Sequence, residues 1–388
     1  MTKLYAFHLM PYADLDLKVA AESKTTWVTF PNTNHDPAKV AKLYDRYLGE
    51  LVYAEELGFD GALVNEHHQT AYGLMPSPIV MASILARTTK RMKIGILGSA
   101  IPLRQHPLTL AEEHAMIDIL SGGRLISGFV RGIGSEYHSF GVNPTESHDR
   151  FHEAHDLITQ AWSRPGPFAF EGKYYNHRYV NLWPQPLQRP HPPIWIPSQG
   201  SSETIEWAAH PDRKYTFLMT FSPVALVEKF LQQYRDQANK YGYEATDDQV
   251  GWACPVFVGE TDEEAVRLAR PHFENFRNLI NKMTMEQLLP PGYSSRASMM
   301  RIAEAKKNVS AGTTIEEAME VGTIVCGSPK TVADTFLHYK KRMGFEHLLL
   351  LFQFGTLSEE MTRANMKLFA EQVAPVLRQA NPLSAAAE

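Results

Sequence analysis

Short apolar runs alternate with helix-forming segments along almost the whole chain, and this alternation limits the possible folds. The helical segments carry apolar residues at the helical period; Val40, Leu43 and Tyr47 fall on one face of the segment after Asp36. Nearly continuous apolar strands separated by helices are typical of parallel sheets covered on both faces. The pattern predicts about eight strands, at residues 4–10, 59–64, 92–97, 124–130, 194–196, 215–219, 250–258 and 347–352. It therefore favours an α/β fold, the (β/α)8 TIM barrel, whose active sites lie at the carboxyl ends of the strands.

Three stretches without a clear period interrupt the alternation, at about 11–35, 165–193 and 281–322. We expect a single barrel domain spanning residues 1–388 with these stretches as insertions, because the alternation resumes after each of them and α/β barrels often exceed the usual domain length. The second stretch predicts a hairpin followed by a proline-rich run. The first and third are predicted lids, since long loops inside compact domains are usually functional.

Composition excludes several classes of protein. The net charge of -5 and the pI near 6.4 leave no basic surface for nucleic acid. No stretch approaches the roughly 18 apolar residues that a membrane helix needs. The two cysteines, Cys254 and Cys326, are too few for a disulfide framework or a cysteine metal site. The first residues predict a strand rather than a secretory signal, so we expect a cytoplasmic protein.

Three ionisable side chains, Glu66, His67 and His68, directly follow the second predicted strand. Buried strand ends seldom carry such residues unless they face a cavity. Histidine is a common general acid or base, so this stretch predicts the floor of an active site. Alternatively, one histidine is buried and hydrogen-bonded while the other residues face solvent. Metal binding is less favoured, because neighbouring side chains on an extended chain point to opposite sides.

A second group of strand ends predicts a phosphate site. Arg131 follows the fourth strand, and the Gly-Ser-rich turn at 200–204 leads from the fifth strand into a helix. Such a turn presents backbone N–H groups and hydroxyls, and an arginine adds a charged fork. The alternatives are that Ser201 only caps the helix and that Arg131 pairs with Glu136 or with another acid.

Two further patterns resemble known motifs without completing them. His148, His152 and His155 share one helical face, but Asp156 stands where a His-Glu-x-x-His zinc motif would need histidine. We expect a solvated helix face there rather than a metal site. The Gly132-Ile133-Gly134 sequence lacks the third glycine of a dinucleotide-binding turn.

Taken together, the motifs resemble those of the bacterial luciferase-like flavin-dependent monooxygenases. The resemblance is carried by Glu66-His67-His68 with Tyr72-Gly73-Leu74, Leu120 to Arg124, Arg131-Gly132, Ser201 to Ala209, Gly327-Ser328-Pro329 and Met366 to Phe369. It implies a barrel that binds reduced FMN, activates O2 at the flavin's carbon 4a and oxygenates a small organic substrate. It also implies a separate NAD(P)H:flavin reductase, because no complete nicotinamide motif is present.

The resemblance further implies roles for individual residues. His67 matches the catalytic histidine, and we assign Glu66 and His68 to tuning it. The residues implied in cofactor binding are Leu97, Gly98, Ser99, Arg131, Gly132, Gly200, Ser201 and Thr204. Among these, Arg131, Ser201 and Thr204 match phosphate-binding residues, and Leu97-Gly98 falls where the family places an often cis peptide against the flavin ring.

The chain also departs from the luciferases. Val130 stands where luciferases carry a reactive cysteine, so light emission from a long aldehyde is not implied. The longer 11–35 stretch places a different wall over the substrate, in which Trp27, Phe30 and His35 are candidate pocket residues. Aromatic residues in the lids favour a small, partly apolar substrate.

Two other functions remain open on the same barrel. One is a deazaflavin-dependent dehydrogenase, and the other is a catalytically silent flavin-binding relative. Helices at 78–88 and 108–120 are rich in Met, Ile, Leu and Ala, and relatives pair through this region, so a homodimer is expected. The alternative is that these residues only pack on the barrel.

Overall fold

Parallel strands of the chain close into a barrel. The structure, a computed structural model, describes residues 1–294 and 312–379. Its strands are β1 (Lys3–Phe7), β2 (Gly61–Val64), β3 (Lys93–Ala100), β4 (Leu125–Val130), β5 (Phe168–Glu171), β6 (Asn176–Val180), β7 (Ile194–Ser198), β8 (Thr216–Thr220), β9 (Val250–Val258), β10 (Val325–Gly327) and β11 (His347–Leu351). Within the described ranges, eight of them pair in the order β1, β2, β3, β4, β7, β8, β9 and β11, and β11 returns to β1. The predicted (β/α)8 barrel is confirmed.

Helices surround the barrel and connect its strands. They are α1 (Leu17–Glu22), α2 (Pro37–Glu56), α3 (Pro78–Thr88), α4 (Pro107–Ser121), α5 (Gly134–Phe140), α6 (Ser147–Ser163), α7 (Ser202–Ala208), α8 (Val224–Lys240), α9 (Asp262–Asn275), α10 (Met285–Leu288), α11 (Ile315–Glu320), α12 (Pro329–Met343), α13 (Glu359–Leu368) and α14 (Ala374–Gln379). Local signals set many of the ends. The Asp36 carboxylate accepts the N–H of Ala38 at the start of α2, and Pro37 occupies its first turn.

The long periodic elements have the predicted bounds, whereas short ones escape the sequence pattern. Helix α3 and strand β9 begin and end at the predicted residues. The hairpin predicted after residue 165 is present as the antiparallel pair β5–β6. Helices α1 and α5 were not predicted, because six or seven residues are too few to show a helical period.

The π-helical turn at the end of α9, Phe276–Ile280, lies over the carboxyl ends of the strands. The sequence pattern predicts a helix at 261–280, and α9 together with the π-helical turn Phe276–Ile280 that continues it fills this range. The π-helical turn packs on residues that follow β1 and β2. The Ile280 carbonyl accepts the Thr26 hydroxyl at 2.7 Å, and the Phe276 ring stacks on Tyr72 at 5.7 Å. Contacts over the strand ends therefore begin at Phe276, shortly before the predicted start of the insertion at residue 281. Residues 295–311 of the predicted lid lie outside the described residues.

Candidate functional site

His67, at the carboxyl end of β2, is held by a carboxylate from the β4 side of the barrel. Its Nδ1 atom lies 3.0 Å from Oε1 of Glu136, whose side chain is 1% exposed. The other oxygen, Oε2, accepts the N–H of Ile133 at 2.8 Å at the start of α5. A carboxylate oxygen only accepts, so Nδ1 carries the hydrogen and the Nε2 atom of neutral His67 is an acceptor. This is the arrangement of an oriented general base.

Glu66 and His68 form a separate network. Oε1 of Glu66 lies 3.0 Å from Nε2 of His68, and its Oε2 accepts from Arg104 Nη2 at 2.6 Å. Glu66 and His68 are expected from the sequence to tune His67, but the carboxylate that contacts His67 is Glu136. Nothing local in the sequence indicates that Glu136, 69 positions away, shares this site.

Aromatic rings enclose His67. The Trp27 ring meets the imidazole edge to face at 5.2 Å, and the Tyr72 ring does so at 5.1 Å. Trp27 is 1% exposed and is fixed by a β-bridge to Thr70, so the 11–35 stretch does form a wall of this site. Phe30 is half-buried, and His35 is exposed beside Tyr12. Of the three candidate pocket residues, Trp27 is the one whose ring contacts His67.

The third strand delivers a cis peptide bond between Leu97 and Gly98, as the resemblance implies. A Cβ at Gly98 would lie 2.9 Å from the carbonyl group of Gly128, so the close approach of β3 and β4 requires glycine. Ser99 is different. Its hydroxyl lies 3.4 Å from Nε2 of His114 on α4, and it is fully buried there. The Ser99 side chain is therefore turned toward α4, and a cofactor contact through its hydroxyl is not supported.

Arg131 lies at the end of β4 without a carboxylate partner in the described chain. Its Nη1 donates to the Ser147 hydroxyl and to the Tyr293 carbonyl, each at 3.1 Å, and its guanidinium lies 4.4 Å from the centre of the Tyr293 ring. The alternative pairing with Glu136 is wrong, because Glu136 binds His67 and Ile133. The Arg131 charge is thus available to an anion.

The turn after β7 faces Arg131. The Ser201 hydroxyl accepts the N–H of Thr204 at 3.3 Å as the cap of α7, and it donates to Glu203 at 2.8 Å. Burial is the main cause that lowers the pKa of His148 to about 4, and the positive charge of Arg131 is the second cause. The negative charge of Glu203 raises the same pKa. Strands β4 and β7 pair in parallel, so their carboxyl ends, with Arg131 and the 200–204 turn, lie side by side. Ser201 also fills the capping role proposed as its alternative.

Gly132 and Gly200 complete this region with left-handed backbone. Their φ angles are 82° and 96°, which L side chains rarely adopt. A Cβ at Gly132 would also lie 2.8 Å from Oε2 of Glu136. Glycine at 132 therefore allows Glu136 to reach His67.

The expectation of a solvated face at the histidines of α6 is wrong for His155, whereas His152 is exposed and His148 is partly buried. His155 is buried, with Nε2 2.8 Å from the Tyr215 hydroxyl and Nδ1 2.9 Å from Asp156. His152 stacks on Trp207 with ring centres 5.5 Å apart. Within the described residues, no three His, Cys, Asp or Glu side chains are placed to hold a metal ion. In the same residues, no helix is both long and apolar enough to cross a membrane.

The residues at the barrel mouth fit a flavin nucleotide. Asn65 follows β2 and Gln353 follows β11, and the side-chain oxygens of both are buried without a hydrogen-bond partner. Because β1 lies between β2 and β11, these acceptors flank one edge of the mouth. Buried polar atoms normally have a hydrogen-bond partner. The two side-chain oxygens can accept hydrogen bonds from the N–H groups of a ligand ring. Arg131 and Ser201 lie at another part of the mouth, after β4 and β7.

Comparison with known proteins identifies the family. The sequence model of the luciferase-like monooxygenase family matches residues 26–347. The chain belongs to this family. It is similar to the alkanal monooxygenase alpha chain of Photobacterium leiognathi, with 26% identity over 347 residues, covering 87% of this chain and 94% of the relative.

Two further relatives of this luciferase-like chain are informative. The oxygenase component of the flavin-dependent trigonelline monooxygenase of Acinetobacter baylyi is 33% identical over 158 residues, which cover 40% of this chain and 43% of the relative. The fold is similar to that of the oxygenating constituent of 3,6-diketocamphane monooxygenase from Pseudomonas putida, solved with FMN. That structure has a TM-score of 0.75 at 20% identity and covers 97% of this chain and 98% of its own.

Proposed function

We propose that this luciferase-like protein is the oxygenase component of a two-component monooxygenase. It would use externally supplied reduced FMN and O2 to oxygenate a small, partly apolar organic substrate. The observation that carries the proposal is the oriented pair His67–Glu136, 3.0 Å apart at the barrel mouth. A separate NAD(P)H:flavin reductase as partner is supported by a relative that is named as an oxygenase component.

The FMN phosphate would be held by Arg131, Ser201 and Thr204, and the ring would lie against Leu97 and Gly98. Reduced FMN supplies two electrons to O2 when it is bound there. Arg131 is already positioned by Ser147 and Tyr293, so little side-chain freedom is lost when it meets the phosphate. Gly200 supplies the left-handed turn that brings Ser201 to the same place.

His67 would move the proton. Its Nε2 atom accepts a proton from the reacting substrate or oxygen group and returns it, while Glu136 stabilises the imidazolium that forms. Trp27 and Tyr72 shield this exchange from water, because their rings contact the imidazole from two sides. Exclusion of water makes the Glu136 carboxylate more effective than it would be in solvent.

Product analysis with labelled oxygen tests the proposal. The protein is supplied with NADH, a flavin reductase, FMN and 18O2 together with a panel of small organic substrates. The proposal expects one labelled oxygen atom in a product that depends on the protein. Formation of hydrogen peroxide alone would instead favour the catalytically silent relative. Tight binding of reduced deazaflavin but not of reduced FMN, in parallel anaerobic titrations, would favour the dehydrogenase.

A further inference from the structure

Arg277, in the π-helical turn over the strand ends, has no hydrogen-bond or carboxylate partner in the described chain. It is partly buried, and its Nε atom is buried without a partner. Other partly buried arginines of the described residues are paired; Arg46 donates to Glu50 at 2.7 Å and Arg104 to Glu66 at 2.6 Å. An unpaired guanidinium away from water is unfavourable. Its place over the site indicates that a ligand supplies the missing partner.

Tyr72 offers a second unpaired donor beside Arg277. Tyr72 is 6% exposed, and its hydroxyl makes no hydrogen bond to a protein group within residues 1–294 and 312–379. The Phe276 ring stacks on Tyr72 at 5.7 Å and Arg277 is the next residue, which places Arg277 near Tyr72. The Arg277 charge accordingly opposes the rise that burial causes in the pKa of Tyr72. Buried phenols usually have a partner. Two neighbouring donors without acceptors are complementary to an anion.

The aromatic stack places these donors on the His67 side of the site. The Tyr72 ring is stacked between Trp27, at 5.0 Å, and Phe276, at 5.7 Å, and it lies 5.1 Å from the His67 ring. Arg277 directly follows Phe276 in the same turn. The phosphate cradle, in contrast, is formed by Arg131 and the turn after β7. Arg277 and Tyr72 are therefore placed to meet the substrate.

We propose that Arg277 and the Tyr72 hydroxyl bind a carboxylate of the substrate, so that the substrates are small organic acids. This inference rests on the proposed function, because it assigns the substrate class of that same site. The guanidinium fork matches the two oxygens of a carboxylate, and the phenol adds a third hydrogen bond. The stacked Trp27, Tyr72 and Phe276 rings pack against the apolar body of the acid, next to His67.

Ligand binding tests this assignment without turnover. The full chain, with oxidised FMN present, is titrated with two matched pairs, benzoate with benzamide and hexanoate with hexanamide, by calorimetry. Arg277→Met removes the charge, Arg277→Lys keeps it without the fork, and Tyr72→Phe removes only the hydroxyl. Arg267→Met on the exposed side of α9 is the matched control. Circular dichroism and FMN titration are recorded for every variant.

We expect the native chain to bind at least one acid roughly ten-fold or more tightly than its amide, as charge-assisted hydrogen bonds predict. Arg277→Met should abolish this preference, Arg277→Lys should keep part of it, and Arg267→Met should keep all of it, with FMN affinity unchanged throughout. The inference is overturned if no acid is preferred, or if Arg277→Met weakens FMN binding and so belongs to the cofactor site. An Arg277-dependent preference in a chain that makes no oxygenated product would support the acid site and reject the oxygenase proposal.

Discussion

Nδ1 of His67 lies 3.0 Å from Oε1 of Glu136, although the two residues are 69 positions apart in the chain. The second Glu136 oxygen is fixed by the backbone N–H of Ile133 at 2.8 Å. Because the carboxylate is anchored at both oxygens, the imidazole is held with its Nε2 atom as the acceptor. This relationship makes His67 and Glu136 separable by mutation: one would move the proton, and the other would position the group that moves it.

His67→Ala should reduce substrate oxygenation by roughly a hundred-fold or more, because general acid–base groups contribute at least that much. FMN affinity should remain nearly intact, since the proposed phosphate contacts lie at Arg131 and Ser201. Steady-state oxygenation and an FMN titration measure the two effects. His338→Ala, at an exposed histidine of α12, is the control. Retained turnover in His67→Ala would contradict a catalytic role of this histidine.

Glu136→Gln should exchange the tautomer of His67. The amide oxygen takes the Ile133 N–H, so the NH2 group faces Nδ1 and forces the hydrogen onto Nε2. Histidine 15N chemical shifts should report this exchange in the folded protein, with oxygenation lowered and FMN affinity preserved. Glu136→Asp, which keeps two acceptors on a shorter side chain, should retain the native tautomer with weaker activity. An unchanged tautomer in Glu136→Gln would contradict the positioning role.

Arg131→Met should weaken binding of FMN more than binding of riboflavin, which lacks the phosphate. We expect the native preference for FMN over riboflavin to fall by roughly ten- to a hundred-fold, the range for a charge-assisted hydrogen bond. Fluorescence titrations with both flavins give the preference directly. Arg178→Met, at an exposed arginine of β6, should leave it unchanged. An equal loss of affinity for FMN and for riboflavin would mean that Arg131 does not contact the phosphate.

Ile119→Glu should convert a proposed homodimer to monomers. Val80 of α3 and Met116, Ile119 and Leu120 of α4 are exposed, and the two helices pack against each other. Several exposed apolar side chains on adjacent helices are typical of an interface. A charge in such a patch opposes association. Sedimentation velocity of the native chain and of the variant checks the outcome. Leu226→Glu, at a partly exposed position of α8, is the control, and a native monomer would refute the proposal.

His114 should make folding stability depend on pH. Burial, and to a smaller extent the charge of Arg104, lowers the pKa of His114 from 6.5 to about 3. Between pH 6.5 and pH 3, His114 is therefore protonated in the unfolded chain but neutral in the folded chain. Its stabilising contribution is complete above pH 6.5 and is lost as the pH falls toward 3. This amounts to about 1.4 kcal/mol per pH unit for one proton.

Urea unfolding of the native chain and of His114→Asn at several values between pH 7 and pH 4 measures this dependence. The variant should be less stable at pH 7, because it loses the 2.9 Å hydrogen bond to Ser127, but its stability should fall less steeply with acid. His338→Asn, at an exposed histidine of α12, should keep the native slope. Identical slopes for all three proteins would exclude His114 as the source.

The sequence by itself determined the barrel, the long elements and the order of the strand ends. Apolar periods and caps are local properties, so Asp36 could start α2 and the period after Val40 could fix its buried face without distant information. The resemblance added the cis bond at Leu97-Gly98, which the structure has. Short elements such as α5 carried too little local signal to be predicted.

Only the tertiary structure decided which side chains meet. Glu136, and not Glu66, reaches His67, because barrel closure brings the ends of β2 and β4 together and glycine at 132 leaves room for the carboxylate. The same closure turns Ser99 toward His114 and buries His155, which the sequence assigns to the cofactor and to solvent. Among residues 1–294 and 312–379, it also leaves the Arg277 guanidinium and the Tyr72 hydroxyl without a hydrogen-bond partner near His67. Such pairings depend on contacts between distant parts of the chain, and a local sequence pattern does not encode them.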